Sequence, residues 1–457
     1  MSGSRKPRSG WGHCVRASHP CNTVAQVLLR RKGCVQAPLS PPDTNDLLSI
    51  RLRIGTKQAK LWDRESQKSM VFNILQVVQE FSLNGGVETV AYELQSAWQA
   101  TGVPSTVLAS TVGPDVSNRM TVRRIAPALT RIPTRGRWRH LGRLLVVPVF
   151  TLAATGFVRT QAANAVVLSH GDSFAGDVCV IHAVNKASLR EKARQGGISW
   201  LLNPIHGWVA LRDRWMIGGL RYRRYVAVSS RIASELNQLY KVPYDRIAVI
   251  PNGIDLVRFT PVSSGDADVR KEFAIPPLAR LLLFVGHEFE RKGLAPLIKA
   301  LSTLPGAYLL VVGSDDAKPY RKLAEAAKVA DRVRFAGARP DMPRIYRASD
   351  AFVFPTSYES FSLVCMEALA CGTPIFATLV GGIEEYLESG VNGYAITRDP
   401  DDIAQQLRPV LDNPDLLNRL RLGARATAER YSWTRVAVRY RELLETVWRE
   451  KEAERSR

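Results

Sequence analysis

Short apolar runs alternate with longer amphipathic segments along most of the chain, and this alternation constrains the fold more than any other feature. Each run reads as a buried strand because it holds consecutive apolar residues and ends at glycine or polar residues. The runs lie at 70–78, 165–168, 225–228, 247–250, 281–285, 308–312, 333–335, 351–354 and 374–377. Such β–α alternation predicts a parallel, doubly wound α/β sheet in each half, and two such domains facing each other enclose a cleft.

The pattern divides the chain into four predicted segments. Residues 1–69 hold 13 Lys/Arg against 4 Asp/Glu, show little periodicity and are expected to be a disordered basic extension. Because strand-like sequence begins at Met70, we hypothesise that Met70 is the true start and that 1–69 is an over-extended reading frame or a dispensable leader. The N-terminal domain is predicted at 70–258, the C-terminal domain at 259–430 and a terminal helix at 431–457.

Composition favours a globular protein of the reducing cytoplasm. Apolar residues make up 46% of the 457 residues, and the six cysteines have neither disulfide-framework nor zinc-finger spacing. No run of 18 apolar residues occurs, so a membrane-spanning helix is not expected. The longest candidate, 144–158, contains Pro148 and Gly156 and is interpreted as a packed helix or a membrane-surface segment.

The positive charge is concentrated in one segment of the first half. The chain carries a net charge of +21, and nine arginines and no acid lie between residues 116 and 171. Trp138, Leu141 and Leu144 are interleaved with these arginines. Arginine with tryptophan and leucine suits an anionic membrane surface, so residues 119–159 are predicted to dock there. Nucleic acid is not the expected partner, because the chain shows no RNA-module signature.

Two glutamates, Glu359 and Glu367, lie eight positions apart after the predicted strand 351–354. The turn 360–362 separates them, and a helix follows that stops at Gly372. This spacing predicts that Glu359 lies in the loop and that Glu367 lies about one turn into the helix, with both carboxylates facing one cavity. The N–H groups of a helix N-terminus suit a phosphate, so the expected ligand is a nucleotide sugar.

Two basic residues are placed to meet a diphosphate. Arg291 and Lys292 follow the strand 281–285 and Gly286, which puts them at the mouth of the second sheet. Arginine binds phosphate oxygens bidentately, and lysine adds a point charge. Asp266 and Asp268 form an Asp-x-Asp pair in the predicted linker, where a solvated acidic patch is expected. No metal and no cofactor are therefore predicted.

Gly85 and Gly86 form the corresponding loop of the first half. They follow the first predicted strand and precede a helix that ends near Gly102. Glycine allows the backbone to approach a phosphate closely at a helix start. Gly85, Gly86 and Gly286 are therefore candidate donor-binding residues.

The string PTSYESFSLVCMEALACGTP at 355–374 resembles the two-glutamate signature of family 4 retaining glycosyltransferases, which have the GT-B fold. The resemblance covers about residues 70–445 and is strongest from 247 to 396. It implies two Rossmann-like domains facing a cleft, with the terminal helix crossing back over both. In that family Glu359 would contact donor-sugar hydroxyls, Glu367 the ribose, and Arg291 with Lys292 the departing diphosphate. Backbone N–H groups near Ser362, Leu363 and Val364 would hold the phosphates.

The acceptor side is less defined in sequence. His170 ends a predicted strand where family members often carry a histidine near the reacting sugar, and Asp172, Asp177 and His182 are alternatives. The stretch 176–179, followed by Asn185-Lys186, resembles the lipopolysaccharide core glucosyltransferase branch. That resemblance implies an acceptor-side role for Asp177.

These observations predict a cytoplasmic enzyme at the inner face of the membrane. It would move a hexose, with UDP-glucose as the expected donor, to a cell-envelope glycan or lipid-linked saccharide with retention. No residue stands out as a covalent nucleophile, so same-face attack through an oxocarbenium-like state is the expected mechanism. The alternatives are a nucleotide-sugar epimerase or hydrolase of the same fold, and a non-catalytic basic scaffold that binds nucleic acid.

Overall fold

The computed structural model describes residues 72–83, 85–114, 116, 120–132, 139–194, 205–262 and 268–457, which all belong to one structural unit. The predicted basic extension at 1–69 lies outside the described residues. So do residues 263–267 of the predicted linker and the arginines at 119, 135 and 137.

The first half of the chain builds a parallel sheet. Its strands are β1 (Asn73–Val77), β2 (Glu80–Phe81), β3 (Ser105–Ala109), β4 (Thr111–Val112), β5 (Val122–Arg124), β6 (Ala165–Ser169), β7 (Val178–Ile181), β8 (Arg224–Ala227) and β9 (Ile247–Val249). Among the described residues, seven of these strands form one sheet in the order β5-β3-β1-β6-β7-β8-β9, with every neighbouring pair parallel. β2 and β4 pair separately.

Helices cover both faces of this sheet, because its central strands are apolar on both sides. The helices are α1 (Gly86–Ala100), α2 (Arg139–Gln161), α3 (Asn185–Arg194), α4 (Ile205–Asp213) and α5 (Ser230–Tyr240). A π-helical turn, Arg214–Gly218, continues α4. Ile74 of β1 packs in the same core as Leu94 of α1, whereas the next residue, Leu75, packs with Phe150 of α2. Because successive residues of a strand face opposite sides of the sheet, β1 packs against a helical layer on each face.

The second half repeats the architecture with a smaller sheet. Its strands are β10 (Arg280–Val285), β11 (Ala307–Val312), β12 (Val333–Gly337), β13 (Ala351–Phe354), β14 (Ile375–Ala377) and β15 (Gly393–Ala395). Within the described residues they form a six-stranded parallel sheet in the order β12-β11-β10-β13-β14-β15. The predicted doubly wound α/β architecture is confirmed in both halves.

The helices of the second half include the terminal helix. They are α6 (Val269–Glu272), α7 (Phe289–Lys292), α8 (Leu294–Ala300), α9 (Lys318–Ala326), α10 (Met342–Ala348), α11 (Leu363–Ala370), α12 (Ile383–Tyr386), α13 (Pro400–Leu411), α14 (Pro414–Glu429) and α15 (Trp433–Arg455). Asp268 caps α6 by accepting from the N–H groups of Arg270 and Lys271. Asp268, the second aspartate of the Asp-x-Asp pair, therefore serves as a helix cap.

Helix α15 returns to the first domain, as the resemblance implied. The indole N–H of Trp98, on α1, donates to the carbonyl of Ala437 at 3.1 Å. Farther along α15, the ring of Trp448 stacks on Phe72, just before β1, with centroids 6.1 Å apart. The final helix therefore fastens the last domain of the chain to the first.

Helix α2 contains the apolar run 144–158 and extends beyond it at both ends. Val146, Phe150 and Ala154 are buried against the first sheet, but Leu145 and Leu152 are 54% and 60% exposed. Its 20-residue segment Gly142–Gln161 is long and apolar enough to cross a membrane, a test that core helices of globular proteins also pass. Here about a third of that segment is buried in the protein.

The strand order fixes where a ligand site can form. In the first sheet the chain moves from β1 to one side through β3 and to the other through β6, so the topological switch lies between β1 and β6. In the second sheet the switch lies between β10 and β13. Open α/β sheets bind ligands at the carboxyl ends of strands beside such switch points. Those ends carry His170 after β6, Gly286 after β10 and the two-glutamate loop after β13.

Candidate active site

The two-glutamate segment forms a loop followed by α11 at the carboxyl end of β13, as its spacing predicts. Ser362, just before the helix, has a φ of 73°, a left-handed conformation that is uncommon outside glycine. The loop is held by the Tyr386 hydroxyl, which donates to the Phe361 carbonyl at 2.8 Å. No described side chain caps the N-terminus of α11, which begins at Leu363. Its first N–H groups are therefore available to an anion.

Glu367 lies inside α11 and lines a cavity between the two domains. Its carboxylate accepts a hydrogen bond from the Tyr346 hydroxyl at 2.9 Å. Burial raises the pKa of Glu367 to about 7, against the lowering influence of Tyr346 and of the Arg258 charge. The carboxyl therefore changes between proton donor and acceptor near neutral pH.

Glu359 does not share that cavity. It accepts hydrogen bonds from Arg291 Nη1 at 3.1 Å, from Lys292 Nζ at 2.6 Å and from the Thr356 hydroxyl at 3.2 Å. A β-carbon at Gly286 would meet the Lys292 side chain at 3.3 Å, so glycine there makes room for the lysine stem. The predicted cations and the first glutamate thus form one ion-paired cluster at the mouth of the second sheet.

Burial alone would lower the pKa of Arg291, but the neighbouring Glu359 and Glu288 carboxylates raise it above its ordinary value. The Lys292 ammonium also lies over the Phe354 ring, 4.7 Å from its centroid. Both cations are largely buried, with 20% and 12% of their side chains exposed. The positive charge of this cluster is therefore fixed in place before any ligand arrives.

We call the cavity of about 640 Å³ between the domains the donor cleft. Helix α1 and its loop line one side, and the carboxyl end of β10 with the start of α11 lines the other. Its lining residues include Gly85, Gly86, Glu93, Arg258, Gly286, Leu363, Val364 and Glu367. The structure therefore brings the predicted Gly85, Gly86, Gly286, Leu363, Val364 and Glu367 together, while Ser362, which precedes Leu363, is not a lining residue.

Gly85 and Gly86 contribute differently to the cleft. Gly85 has φ and ψ of 135° and 167°, in a region that is essentially restricted to glycine. A β-carbon there would also lie 2.2 Å from a carboxylate oxygen of Glu88. Gly86 is the first residue of α1, and a β-carbon on it would meet nothing within 4 Å. Only Gly85 is required by the backbone.

A second cavity, of about 290 Å³, lies at the carboxyl end of the first sheet, and we call it the acceptor pocket. His170, Asp172 and His182 line it, together with the ion pair of Arg212 and Asp213. Asp172 accepts from the backbone N–H of Gln79 at 2.9 Å, and burial raises its pKa.

The hydrogen bonds around His170 assign its tautomer. The Gln76 amide donates to the Ala91 carbonyl, so its oxygen must accept from His170 Nε2, 2.9 Å away. His170 Nδ1 then accepts from His182 Nε2 at 3.0 Å, and the lone pair of His182 is left on Nδ1. Burial lowers the pKa of both histidines, that of His182 to about 4, so both rings are neutral at pH 7. Since no described residue donates to His182 Nδ1, His182, rather than His170, keeps an available acceptor nitrogen.

Comparison with known families agrees with this geometry. The profile described as "Glycosyltransferase Family 4" matches residues 84–258, and the one described as "Glycosyl transferases group 1" matches residues 266–427. WaaG, a glycosyltransferase involved in lipopolysaccharide biosynthesis, superposes with a TM-score of 0.66 over 81% of this chain and 99% of its own, at 21% identity. The chain has a GT-B fold, and each of its two domains matches a glycosyltransferase profile.

Other proteins show the same fold or related sequence. Sucrose-phosphate synthase from Thermosynechococcus elongatus superposes with a TM-score of 0.67 over 83% of this chain and 100% of its own, at 20% identity. The D-inositol 3-phosphate glycosyltransferases of Thermobispora bispora and Xylanimonas cellulosilytica are 35% and 36% identical over 50% and 47% of this chain. The matches span only about half of those curated relatives, 57% and 54% of their lengths. The predicted lipopolysaccharide branch is not confirmed, because the likeness to WaaG extends to the fold alone.

Asp177 is not placed for its predicted acceptor-side role. It precedes β7 and therefore lies at the amino end of the first sheet, opposite to the end that carries His170. Its carboxylate accepts from the backbone N–H of Val167 and from Lys451 Nζ, both at 2.9 Å. Arg223 approaches it at 3.7 Å. These contacts show a structural aspartate that holds the end of α15, and the sequence prediction for Asp177 is wrong.

Sequence reasoning missed two side chains of the donor cleft. Glu93 lies on α1 four residues after Thr89, another lining residue, so both occupy one helix face. Burial and the nearby Asp255 raise the pKa of Glu93 to about 7, and Arg258 opposes them. The sequence could have indicated Glu93, because it is an acid on the helix that follows Gly85, on the face that lines the cleft. Arg258, at the end of the predicted N-terminal domain, gave no such signal.

Proposed function

We propose that this protein is a retaining glycosyltransferase that moves a hexose from a nucleotide sugar to a saccharide or lipid-linked acceptor. The observation that carries the proposal is the donor cleft, where the uncapped N-terminus of α11 and Glu367 face the Gly85 turn across one cavity. N–H groups suit phosphate oxygens, and a carboxylate suits the hydroxyls of a ribose. UDP-glucose is the donor proposed for the first test.

Arg291 and Lys292 would stabilise the departing diphosphate. In a retaining transfer, the bond between the anomeric carbon and the diphosphate oxygen breaks, and the acceptor oxygen bonds to the same face of that carbon. The acceptor proton passes to the leaving phosphate. Two fixed cations stabilise the charge that develops on that oxygen, so this chemistry calls for no metal or cofactor. Glu359 would exchange part of its contact with the cations for the hydroxyls of the donor sugar.

The acceptor pocket is proposed to receive the attacking hydroxyl. With both histidines neutral, His182 Nδ1 can accept a hydrogen bond from that hydroxyl and orient it. A cell-envelope glycan or lipid-linked saccharide is the proposed acceptor class. D-inositol 3-phosphate joins the test because related proteins carry it in their names.

The cytoplasmic face of a membrane is the proposed location. Helix α2 exposes Leu145 and Leu152, and the segment 116–171 that contains this helix carries arginines such as Arg143 and Arg159 but no Asp or Glu. Apolar side chains flanked by arginine favour an anionic interface. Leu145→Gln/Leu152→Gln should reduce co-sedimentation with vesicles rich in phosphatidylglycerol, whereas Leu422→Gln, exposed elsewhere, should not. Equal sedimentation of all three proteins would contradict docking through α2.

Calorimetric titration with UDP, GDP, ADP and their glucose, mannose and N-acetylglucosamine conjugates, in the presence of EDTA, tests the donor assignment. Glu367→Gln removes the cleft carboxylate while keeping its size, and Glu325→Gln is a matched change on the exposed side of α9. One nucleotide should bind to wild type and to Glu325→Gln, and at least tenfold more weakly to Glu367→Gln, as expected for a lost charge-assisted contact.

Product analysis separates the rival functions. A transferase leaves the sugar on the added acceptor, an epimerase or hydrolase of the same fold changes the donor without one, and a basic scaffold binds no nucleotide. A nucleic-acid scaffold would instead bind oligonucleotides with steep salt dependence and no effect of Glu367→Gln. Absence of nucleotide binding to wild type would reject the proposed function.

A further inference from the structure

A cavity of about 780 Å³ lies in the helical layer of the first domain, next to the acceptor pocket, since the turn Arg214–Gly218 contributes different residues to each. Helix α3, the end of α4 with its π-helical turn, and the end of α5 enclose it. We call it the basic groove. Its cations are Lys186, Arg190, Arg214 and Lys241. No carboxylate occurs among its described lining residues, so the charged side chains that line it are all positive.

These cations lack ion-pair partners among the described residues. None of the four forms an ion pair with a described residue, and Lys186 only approaches the Tyr240 ring, 6.0 Å from its centroid. The neighbouring Arg212 differs, since it pairs with Asp213 at 3.1 Å. An unpaired cluster of this kind suits a multiply charged anion such as a phosphate monoester.

The groove also holds a polar donor without a partner. The Asn185 side-chain amide nitrogen is buried and makes no hydrogen bond to any described residue. Beside it, the half-buried Leu189 and Leu239 supply an apolar wall. Because a buried donor without a partner is costly, a ligand oxygen at Asn185 would satisfy it. The lining therefore combines anion recognition with apolar contact.

The groove borders an exposed apolar surface. Ala210 and Arg214 line it, and their chain neighbours Leu211 and Trp215 are 63% and 39% exposed. Helix α4 packs against α2, the helix that exposes Leu145. A ligand headgroup in the groove could thus extend an apolar chain along this surface.

We infer that the basic groove binds an anionic amphiphile, with a phosphate monoester held by the four cations and Asn185 and an apolar chain against Leu189 and Leu239. The groove shares no lining residue with the donor cleft or the acceptor pocket. The inference is therefore independent of the proposed glycosyl transfer, and it can hold or fail by itself.

Calorimetric titration of the full chain with three soluble probes tests this inference. The probes are dihexanoyl phosphatidic acid below its critical micelle concentration, dihexanoyl phosphatidylcholine with the same tails, and inorganic phosphate. Arg190→Gln/Arg214→Gln removes two groove charges, and Lys322→Gln/Arg419→Gln removes two exposed charges from the other domain. Ala210→Trp fills the groove from an exposed position without changing the charge.

Dihexanoyl phosphatidic acid should bind more tightly than either other probe. Its affinity should fall about tenfold in Arg190→Gln/Arg214→Gln, as expected for two solvent-edge charge contacts, and also in Ala210→Trp. Lys322→Gln/Arg419→Gln should bind like wild type, and UDP affinity should be the same in all the proteins. Equal affinity for inorganic phosphate would overturn the amphiphile assignment. Equal losses in the two charge variants would overturn the site.

Discussion

Gly85 and Gly86 differ in what they require of the backbone, which gives a matched pair of substitutions. Gly85→Ala should cost about 1–3 kcal/mol in the free energy of unfolding, because alanine rarely takes a φ of 135°. Gly86→Ala adds a methyl group to open space at the first position of α1 and should be neutral or slightly stabilising. Urea unfolding of both variants measures the difference.

Nucleotide affinity should likewise fall in Gly85→Ala and stay near the wild-type value in Gly86→Ala. If Gly85→Ala unfolds at the same urea concentration as Gly86→Ala, the strained turn assigned to Gly85 is absent. Affinity for the nucleotide is the second readout, since Gly85 shapes the loop that lines the donor cleft.

Donor affinity should rise with pH through the pKa of Glu367. The free protein holds this carboxyl at a pKa of about 7, so only a tenth of it is ionised at pH 6. Because the ionised form is the better acceptor for ribose hydroxyls, nucleotide affinity should increase by up to about tenfold from pH 6 to pH 8. Calorimetry across this range would show the rise in wild type. A rise of the same size in Glu367→Gln would assign it to another group, with Glu93 the first to examine.

Sequence alone predicted Glu367 but not Glu93, although both carboxyls line one cavity. Glu367 was detectable because a short loop and a helix start place it locally, in a pattern contained within about ten residues. Glu93 depends on the other domain facing it, and that arrangement is set by contacts far apart in the chain. The prediction that Glu359 and Glu367 face one cavity was wrong for a related reason. Ion pairs with Arg291 and Lys292 hold Glu359 at the mouth of the second sheet.

At the scale of elements, Asp177 should act on stability and not on the acceptor. Asp177→Asn leaves Lys451 with a neutral partner at a site where both side chains are largely buried, 16% and 9% exposed. The free energy of unfolding should fall by about 1–3 kcal/mol, while KM for the acceptor should stay within twofold. Glu454→Gln, a matched change at an exposed ion pair on the same helix, should leave the free energy of unfolding nearly unchanged. A raised acceptor KM with unchanged stability would restore the catalytic role.

Several strands were predictable from their apolar runs, whereas the edge strand β5 was not. The runs at 165–168, 225–228 and 351–354 correspond to β6, β8 and β13 within one residue, because strands covered on both faces are apolar throughout. By contrast, β5 carries Arg123 and Arg124 and pairs only with β3, so its sequence shows no apolar run. The apolar run of β7 was assigned to an acceptor motif instead, which produced the error at Asp177.

For the whole molecule, the buried Glu367 should make stability decrease with pH. Its folded pKa of about 7 exceeds the unfolded value, so its contribution is fully present below about pH 4 and is lost as pH rises through 7. The difference in unfolding free energy between wild type and Glu367→Gln should therefore shift by about 2 kcal/mol between pH 5 and pH 7.5. Urea unfolding at several pH values measures it, and Glu325→Gln serves as the exposed control. A difference that stays constant with pH would show that Glu367 titrates normally in the fold.

The domain architecture was predictable from β–α alternation, whereas the packing of the two domains against each other was not. Contacts such as Trp98 with Ala437, and Tyr358 with Glu235, join segments separated by 339 and 123 residues. No periodicity encodes those partners. They decide how wide the donor cleft is, because they fix the two sheets relative to each other.

The cluster of Arg291, Lys292 and Glu359 has a consequence for turnover. The Glu359 carboxylate already pairs with both cations in the ligand-free protein. A diphosphate that binds there would therefore replace one anion by another instead of binding unpaired cations. When the reaction ends, the same carboxylate competes from within the protein for the two cations. Glu359 would thus compete with the nucleotide product for the two cations. The ion pair that stabilises the ligand-free protein would therefore also promote product release.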